Sequence, residues 1–240
     1  MVTGATGFLG RYITKRALER GHRVIGVIRE KFSLNKIQGF MREFLDRNRD
    51  RICFVESDLE KIELLDDLVE KAYSCFGDIN VLINSAAVWD DTEPFQLSYD
   101  KWIKILSINL VVPYMLAIKV SRYMREGDMI INISCLTSTK GHRAYGVLRP
   151  SPAYVASKTA LNSVTKYLAD LLAPKGIIVI GVAPSWIKKP EISRFENYIR
   201  KNVPLGRAAD PDEIADIILS LAENKKHYLS GSIIELSGGY

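Results

Sequence analysis

The chain has 240 residues, of which 47% are hydrophobic and 25% charged, as in an ordinary globular domain. Its net charge of +5 comes from Lys and Arg residues scattered among acids, which argues against a nucleic-acid-binding stripe. We find no apolar run near the roughly 18 to 20 residues that span a bilayer, and no secretory signal, so we expect a cytoplasmic protein that does not bind membranes.

The chain contains three cysteines, Cys53, Cys75 and Cys135. Their number is odd and their spacing does not match that of metal ligands, which argues against both a disulfide framework and a zinc site. We therefore expect reduced thiols and no bound metal.

Apolar runs of strand length alternate with amphipathic stretches of helix length along the whole chain. The predicted strands are residues 22–28, 52–56, 81–84, 129–133, 177–182 and 232–236, and the predicted helices are residues 9–20, 59–76, 98–125, 153–172 and 211–222. This alternation predicts a parallel sheet with helices on both faces, in one domain spanning residues 1–240. Only Met1 and Val2 precede the first turn, so we expect the first strand to be a stub.

A glycine-rich turn follows this stub and opens the first helix. Its glycines would let the backbone approach a pyrophosphate at the helix N-terminus. The predicted cofactor-binding residues here are Thr3, Gly4, Thr6, Gly7, Phe8, Leu9 and Gly10. A plain strand-to-helix turn with the same glycines is the alternative.

The end of the second strand bears on the choice of nicotinamide cofactor. An acidic residue there would bind the ribose 2′-hydroxyl of NAD(H), whereas an Arg would accommodate the 2′-phosphate of NADP(H). Here Ile28 occupies the acidic position and Arg29 follows, so we favour NADP(H) over NAD(H), with an exposed loop cation as the alternative. Asp58, followed by Leu59, is expected to accept a bond from the adenine amino group, to cap a helix, or both.

Tyr154 and Lys158 are four residues apart near the start of a predicted helix and therefore lie on one face. A phenol with an ordinary pKa of about 10 is a poor acid at neutral pH, and a nearby ammonium would lower that pKa. The pair thus predicts a general acid/base, although such pairs also occur on many helix surfaces.

Together with the motifs above, several further segments resemble the short-chain dehydrogenase/reductase superfamily over essentially the whole chain. They are residues 84–87, Asn109, residues 132–134 and residues 237–239. The C-terminal third is especially similar to the 3-oxoacyl-(acyl-carrier-protein) reductase branch. The resemblance implies a Rossmann-type doubly wound parallel sheet of about seven strands, in the order 3-2-1-4-5-6-7. It also implies a homodimer or homotetramer that acts on a small-molecule carbonyl or alcohol.

The resemblance implies a role for each matching residue. Tyr154 would protonate the carbonyl oxygen, Lys158 would lower the pKa of Tyr154 and hold the nicotinamide ribose, and Asn109 would anchor a water that relays protons. The cofactor contacts would come from Asn84, Ser85 and Ala86 under the adenosine ribose, and from Pro184, Ser185 and Ile187 beside the nicotinamide. For Asn132 we expect a hydrogen bond within the fold instead.

Three features depart from the family pattern. Cys135 occupies the position of the family's substrate-orienting hydroxyl, and a thiol is a weaker hydrogen-bond donor. We therefore expect either slower catalysis or that the hydroxyl of Ser134, Thr137 or Ser138 takes over this role. Alternatively, Cys135 is a small buried apolar residue. With Phe8 at a position where single-domain members usually have glycine, the glycine-rich turn resembles that of the extended branch. The length of the chain, however, argues against that branch. The connection at 141–151 is longer than usual, and it is expected either to contact an anionic substrate or to be an exposed insertion. Its candidate side chains are His142, Arg143, Tyr145 and Arg149.

The sequence therefore predicts an NADP(H)-dependent oxidoreductase of carbonyls and secondary alcohols. A non-catalytic NADP(H)-binding sensor or scaffold, and a sugar-nucleotide epimerase or dehydratase, are the alternatives.

Overall fold

The structure is a computed structural model that describes residues 1–29, 44–141, 146–224 and 228–240. Within these ranges, seven strands form one parallel sheet in the order β3-β2-β1-β4-β5-β6-β7, as predicted. The strands are β1 Val2–Thr3, β2 Val24–Ile28, β3 Ile52–Glu56, β4 Val81–Asn84, β5 Met129–Ile133, β6 Ile178–Pro184 and β7 Ile233–Leu236. The carboxyl ends of these strands all face the same edge of the sheet, where a doubly wound fold binds its ligands.

Helices connect the strands at nearly the predicted positions. They are α1 Phe8–Glu19, α2 Leu65–Phe76, α3 Tyr99–Val120, α4 Thr137–Lys140, α5 Pro152–Leu172, α6 Glu196–Asn202 and α7 Pro211–Glu223. Within α3, residues Ser107–Val111 form a π-helical turn. The helix predicted at 59–76 begins instead with a short 3-10 turn, Ile62–Leu64, and the one predicted at 98–125 ends at Val120.

Successive strand residues pack into two different apolar layers, because side chains alternate between the faces of a sheet. Ile130 of β5 and Val179 of β6 lie in the layer covered by α2, α3 and α5, whereas their neighbours Ile131 and Ile180 lie in the layer covered by α1 and α7. All five residues of β2 and of β5 are buried. Both faces of the sheet are therefore covered, as the continuous apolar runs predict.

The first strand is the stub that the sequence predicts. Val2 pairs with Gly26 of β2 on one side and with Ile83 of β4 on the other. The hydroxyl of Thr3 then accepts hydrogen bonds of 3.1 Å from the backbone N–H groups of Ser85 and Ala86. Two residues are enough here because both edges of the stub are paired.

The prediction about membrane-length apolar runs is wrong. Helix α3 is long and apolar enough, by length and composition, to cross a membrane, with a mean hydropathy of 1.7. Core helices of soluble proteins meet the same two criteria, and 44% of this stretch is buried inside the protein. The helix packs against α2, α5 and β4, which accounts for its apolar composition.

The expectation of three reduced thiols is also wrong. Cys53 of β3 and Cys75 of α2 form a disulfide with their Cα atoms 6.1 Å apart. The sequence could not show this pair because the two residues are brought together only when α2 folds back onto the edge strand. Cys135 is buried and lies outside this disulfide.

Candidate active site

A cavity of about 920 Å³ lies along the carboxyl ends of the strands and holds most of the predicted site residues in its wall. The predicted residues that line it are Gly4, Thr6, Gly7, Phe8, Leu9, Gly10, Arg29, Leu59, Ser85, Ala86, Ser134, Cys135, Tyr154, Lys158, Pro184, Ser185 and Ile187. Thr3, Asp58, Asn84 and Asn109 are not among the lining residues. The cavity therefore joins the glycine turn at one end to Tyr154 at the other.

The glycines of the turn bring the backbone of α1 unusually close to the end of β1. A Cβ atom on Gly10 would lie 2.1 Å from the carbonyl oxygen of Gly4, and one on Gly7 would lie 2.9 Å from the same atom. Gly4 has φ +63°, and a Cβ there would lie 2.9 Å from the Cα of Ala86. The turn consequently tolerates no side chain at these positions, and the start of α1 opens directly into the cavity.

Arg29 follows β2 in the cavity wall, and its guanidinium lies 3.6 Å from the carboxylate of Glu60. Its side chain is 61% exposed, which leaves it accessible to a ligand. Asp58 instead accepts a hydrogen bond of 3.1 Å from the backbone N–H of Glu60, so its side chain stabilises a turn. Asp58 does not cap a helix, because the 3-10 turn that follows has Lys61 at its N-cap, and its expected contact with adenine stays a prediction.

Tyr154 and Lys158 lie on one face of α5, and both are buried. The ammonium of Lys158 donates a hydrogen bond of 2.8 Å to the carbonyl oxygen of Ile133. Burial lowers the pKa of Lys158 from 10.5 to about 8, partly offset by the nearby Cys135 thiol. Burial, with contributions from the charge and the hydrogen bond of Cys135, raises the pKa of Tyr154 well above its ordinary value. This is opposite in direction to the predicted effect of Lys158 on the phenol.

Cys135 is in direct contact with the acid/base pair, because its thiol is hydrogen-bonded to the Tyr154 hydroxyl. The hydroxyl of Ser134 is 2.9 Å from that of Ser138 and 3.3 Å from the carbonyl oxygen of Lys158. Ser138 also donates to the carbonyl oxygen of Cys135, and Thr137 is fully buried outside the cavity. The hydroxyls of Ser134 and Ser138, two of the candidates to replace the missing donor, thus form hydrogen bonds within the fold, and Thr137 does not line the cavity. Cys135 itself faces Tyr154.

Asn109 does not offer its side chain to a water. Its amide nitrogen donates to the carbonyl oxygen of Val88 at 3.0 Å and to the hydroxyl of Ser157 at 3.1 Å, while its amide oxygen accepts from the N–H of Val88 at 2.8 Å. The residue lies in the π-helical turn of α3, where the regular carbonyl pairing of the helix is interrupted. The fold already uses both ends of this side-chain amide, so the predicted water anchor would have to be a backbone carbonyl of this turn.

Two further asparagines hold neighbouring strands together. The amide of Asn84 donates to that of Asn132 at 2.9 Å, and Asn132 donates to the hydroxyl of Thr165 at 2.9 Å. This agrees with the expectation for Asn132. The side chain of Asn84 is buried and does not line the cavity, whereas Ser85 and Ala86 do.

A buried carboxylate supports the start of α5. Asp90 forms an ion pair of 2.7 Å with Lys101 of α3, and its backbone carbonyl accepts a 2.8 Å bond from the N–H of Ser151. Ser151 caps α5 by accepting from the N–H of Tyr154 at 3.3 Å. Burial alone would raise the pKa of Asp90, but hydrogen bonds from Lys101, Ser151 and Thr92 lower it to about 2. Asp90 thus ties α3 to the turn that carries the phenol.

The sequence analysis missed the aromatic part of the cavity wall. Trp89 packs edge-on against Tyr154 with ring centroids 4.6 Å apart, and Trp186 lies 5.8 Å from Phe195. Lys189 and Arg194 also line the cavity. Trp89 and Trp186 each follow a strand within five residues of a predicted site residue, and that placement is the signal that could have identified them.

The long connection at 141–151 is described only in part. His142, Arg143 and Tyr145 lie outside the described residues, so the structure does not test their predicted substrate contacts. Arg149 is exposed and does not line the cavity, whereas Leu148 does. The prediction that Arg149 would bind an anionic substrate has no support in this geometry.

Comparison with known proteins agrees with this arrangement. A family model described as Enoyl-(Acyl carrier protein) reductase matches residues 4–240. The chain is 31% identical to an uncharacterized oxidoreductase of Schizosaccharomyces pombe, covering 100% of this chain and 89% of that protein. It is 29% identical to the 3-oxoacyl-(acyl-carrier-protein) reductase of Vibrio harveyi, covering 100% and 95% of the two chains.

Solved structures show the same fold. A short-chain dehydrogenase/reductase described as a glucose/ribitol dehydrogenase, from Brucella melitensis, superposes with a TM-score of 0.86 at 25% identity, covering 99% of this chain and 94% of that one. A short-chain dehydrogenase of Burkholderia cenocepacia in complex with NADP superposes with a TM-score of 0.87 at 21% identity, covering 99% and 96%. The matches extend over the glycine turn, the Tyr154–Lys158 pair and the whole sheet, and the chain belongs to the short-chain dehydrogenase/reductase family of oxidoreductases.

Proposed function

We propose that this oxidoreductase transfers hydride between NADP(H) and a carbonyl or secondary-alcohol substrate, with Tyr154 as the general acid/base. The observation that carries this proposal is the single cavity wall that joins the glycine turn to Tyr154, Lys158 and Cys135. Gly4, Gly7 and Gly10 line this cavity at the N-terminus of α1, where backbone N–H groups bind phosphate, so the residues fit the cofactor.

Arg29 supports the choice of NADP(H). It is the cation at the end of β2, where a 2′-phosphate would lie, and most of its side chain is exposed. We expect Arg29→Ala to reduce the preference for NADP(H) over NAD(H), measured as the ratio of the two dissociation constants. An unchanged ratio would remove this support.

The residues around Tyr154 would perform the proton chemistry. When bound, the nicotinamide supplies the hydride for reduction or accepts it for oxidation. In reduction the Tyr154 hydroxyl gives its proton to the carbonyl oxygen, and Cys135 orients that oxygen. The ammonium of Lys158 stabilises the phenolate that remains. A water relay would use the carbonyl oxygens of the π-helical turn, since the Asn109 side-chain amide is already engaged.

The test is loss of NADPH absorbance with a panel of ketones and acetoacetyl thioesters. We expect turnover to fall at least about a hundredfold in Tyr154→Phe, because a positioned acid/base contributes this much or more. Tyr123→Phe is the matched control, since Tyr123 packs against Tyr73 outside the cavity.

The same assay separates the alternatives. A sensor or scaffold would bind NADPH and oxidise none of it with any carbonyl. A sugar-nucleotide epimerase or dehydratase would convert its substrate while the cofactor stayed bound and unconsumed.

We also propose that residues 1–240 act as one domain that assembles into a homodimer or homotetramer. Support comes from exposed apolar side chains on the long helices, with Tyr99 and Ile103 on α3 and Tyr167 and Leu171 on α5.

A further inference from the structure

The end of the cavity beside Tyr154 is apolar and aromatic. Cys135, Tyr154, Trp186 and Ile192 form one apolar cluster, against which Leu148 and Phe195 pack. All six of these residues line the cavity. A substrate whose carbonyl reaches the Tyr154 hydroxyl must therefore place its neighbouring atoms against hydrocarbon and rings.

Trp89 adds an accessible ring surface to this cluster. Its indole meets the Tyr154 ring edge-on, with an interplanar angle of 63°, yet 40% of the residue remains exposed. A large aromatic side chain beside the acid/base, fixed on one side and open on the other, provides a platform on which a flat apolar group can stack.

The charged residues of the wall do not favour a strongly charged substrate. Asp91, Glu191 and Arg194 are exposed, and the guanidinium of Arg194 stacks over the Phe195 ring at 4.7 Å. The ammonium of Lys189 lies 5.8 Å from the centre of the Phe8 ring, in the first turn of α1. Apart from Arg29 at the end of β2 and Lys158 of the acid/base pair, the wall thus has two acids and two cations, and both of these cations lie over aromatic rings.

The chemistry of Cys135 also favours an apolar substrate over a polar one. A thiol is a weak hydrogen-bond donor, so it suits a carbonyl whose binding depends mainly on its apolar neighbour. A polyol would instead require several polar partners for its hydroxyls, and unpaired hydroxyls in such a site are costly.

We infer that the substrate of this site is a carbonyl compound with an aryl or other flat conjugated group next to the carbonyl, and that Trp89 is the residue on which this group stacks. This inference rests on the proposed function, because it assumes that the carbonyl lies at Tyr154.

The test compares acetophenone with dihydroxyacetone as substrates of the wild-type enzyme with NADPH. We expect kcat/KM for acetophenone to exceed that for dihydroxyacetone at least about tenfold. Trp89→Ala is expected to lower the acetophenone value about fivefold, mainly through KM, because it removes one aromatic stacking partner. Trp89→Phe should restore most of this loss, and Trp102→Phe is the control because Trp102 lies outside the cavity wall.

A binding measurement separates failure of this inference from failure of the proposed function. The affinities of 1-phenylethanol and glycerol are measured by calorimetry in the presence of NADP⁺. If neither ketone is reduced but 1-phenylethanol binds at least about tenfold more tightly and loses this advantage in Trp89→Ala, the role of Trp89 in binding an aryl group stands and the reductase proposal fails. Equal affinities, equal turnover of the two ketones, or an acetophenone preference that survives in Trp89→Ala would overturn the inference.

Discussion

In the proposed reaction, Cys135 would offer its thiol to the same oxygen that Tyr154 would protonate. The contact between its sulfur and the Tyr154 hydroxyl places it within reach of a bound carbonyl. Because a hydroxyl is the stronger donor, we expect Cys135→Ser to raise kcat for carbonyl reduction by up to about tenfold, the size of one neutral hydrogen bond. Cys135→Ala should lower it. Steady-state kinetics of both variants check this, and identical rates in the two would show that residue 135 does not contact the substrate.

Lys158 sets the expected pH dependence of the reaction. Its pKa of about 8 means that the ammonium loses its proton just above neutral pH. We expect kcat/KM for reduction to fall above about pH 8, because the neutral amine no longer stabilises the Tyr154 phenolate. Lys166→Met, on the exposed side of α5, should keep this fall, whereas the residual activity of Lys158→Arg should not show it.

Titration of Lys158 is expected to raise the stability of the fold over a pH range in which it lowers the activity. Its pKa in the folded chain, about 8, lies below the ordinary 10.5, so between these values the unfolded chain holds the proton more tightly. The contribution of Lys158 to the free energy of unfolding therefore rises as the pH increases from about 8 to 10.5. Stability that rises while activity falls in this window distinguishes titration of Lys158 from general alkaline unfolding.

At the scale of the elements, the disulfide joins the edge strand β3 to α2 and closes a loop with a sequence separation of 22 residues. Loop-closure entropy predicts a contribution of about 3 kcal/mol to the free energy of unfolding. We expect reduction by dithiothreitol, or the double substitution Cys53→Ala and Cys75→Ala, to lower the denaturant midpoint accordingly. Adding reductant to the double variant should leave its denaturant midpoint unchanged. A wild-type midpoint that is insensitive to reductant, with three titratable thiols in the native protein, would contradict the disulfide.

The regular elements could be predicted from sequence because their signals are local. The β-branched runs of β2 and β5, and Asp210 with Pro211 at the start of α7, mark their elements within a few residues. The glycine turn and the Tyr154–Lys158 pair carry similarly local signals. They could be placed in one cavity because parallel strands end at one edge of the sheet.

Other features depend on contacts between distant parts of the chain and could not be predicted. The pairing of Cys53 with Cys75, the use of the Asn109 amide by Val88 and Ser157, and the packing of Trp89 on Tyr154 each require the folded structure. The effect of burial on Tyr154 was also missed. A sequence shows that a lysine is nearby, but it does not show how completely water is excluded from the phenol.

For the whole molecule, the exposed apolar side chains of α3 and α5 predict self-association. Tyr167 is 59% exposed and Leu171 is 44% exposed, one turn apart on α5. We expect light scattering to give a mass of two or four chains for the wild type, and a smaller mass for Tyr167→Lys combined with Leu171→Lys. Ile217→Lys, at an exposed apolar residue of α7 on the other face of the sheet, is the control. A wild-type protein that stays monomeric at micromolar concentration would contradict this prediction.

The two ends of the chain are joined across the same face of the sheet. Arg16 and Arg20 of α1 form ion pairs of 2.6 and 2.9 Å with Asp216 of α7, about 200 residues later in the sequence. At a translation rate of about 5 to 20 residues per second, α7 is therefore synthesised at least about ten seconds after α1. The apolar side of α1, with Ile13 and Leu18, remains uncovered by α7 during that interval. We therefore expect this apolar surface of the nascent chain to stay exposed until α7, Pro211–Glu223, has been synthesised.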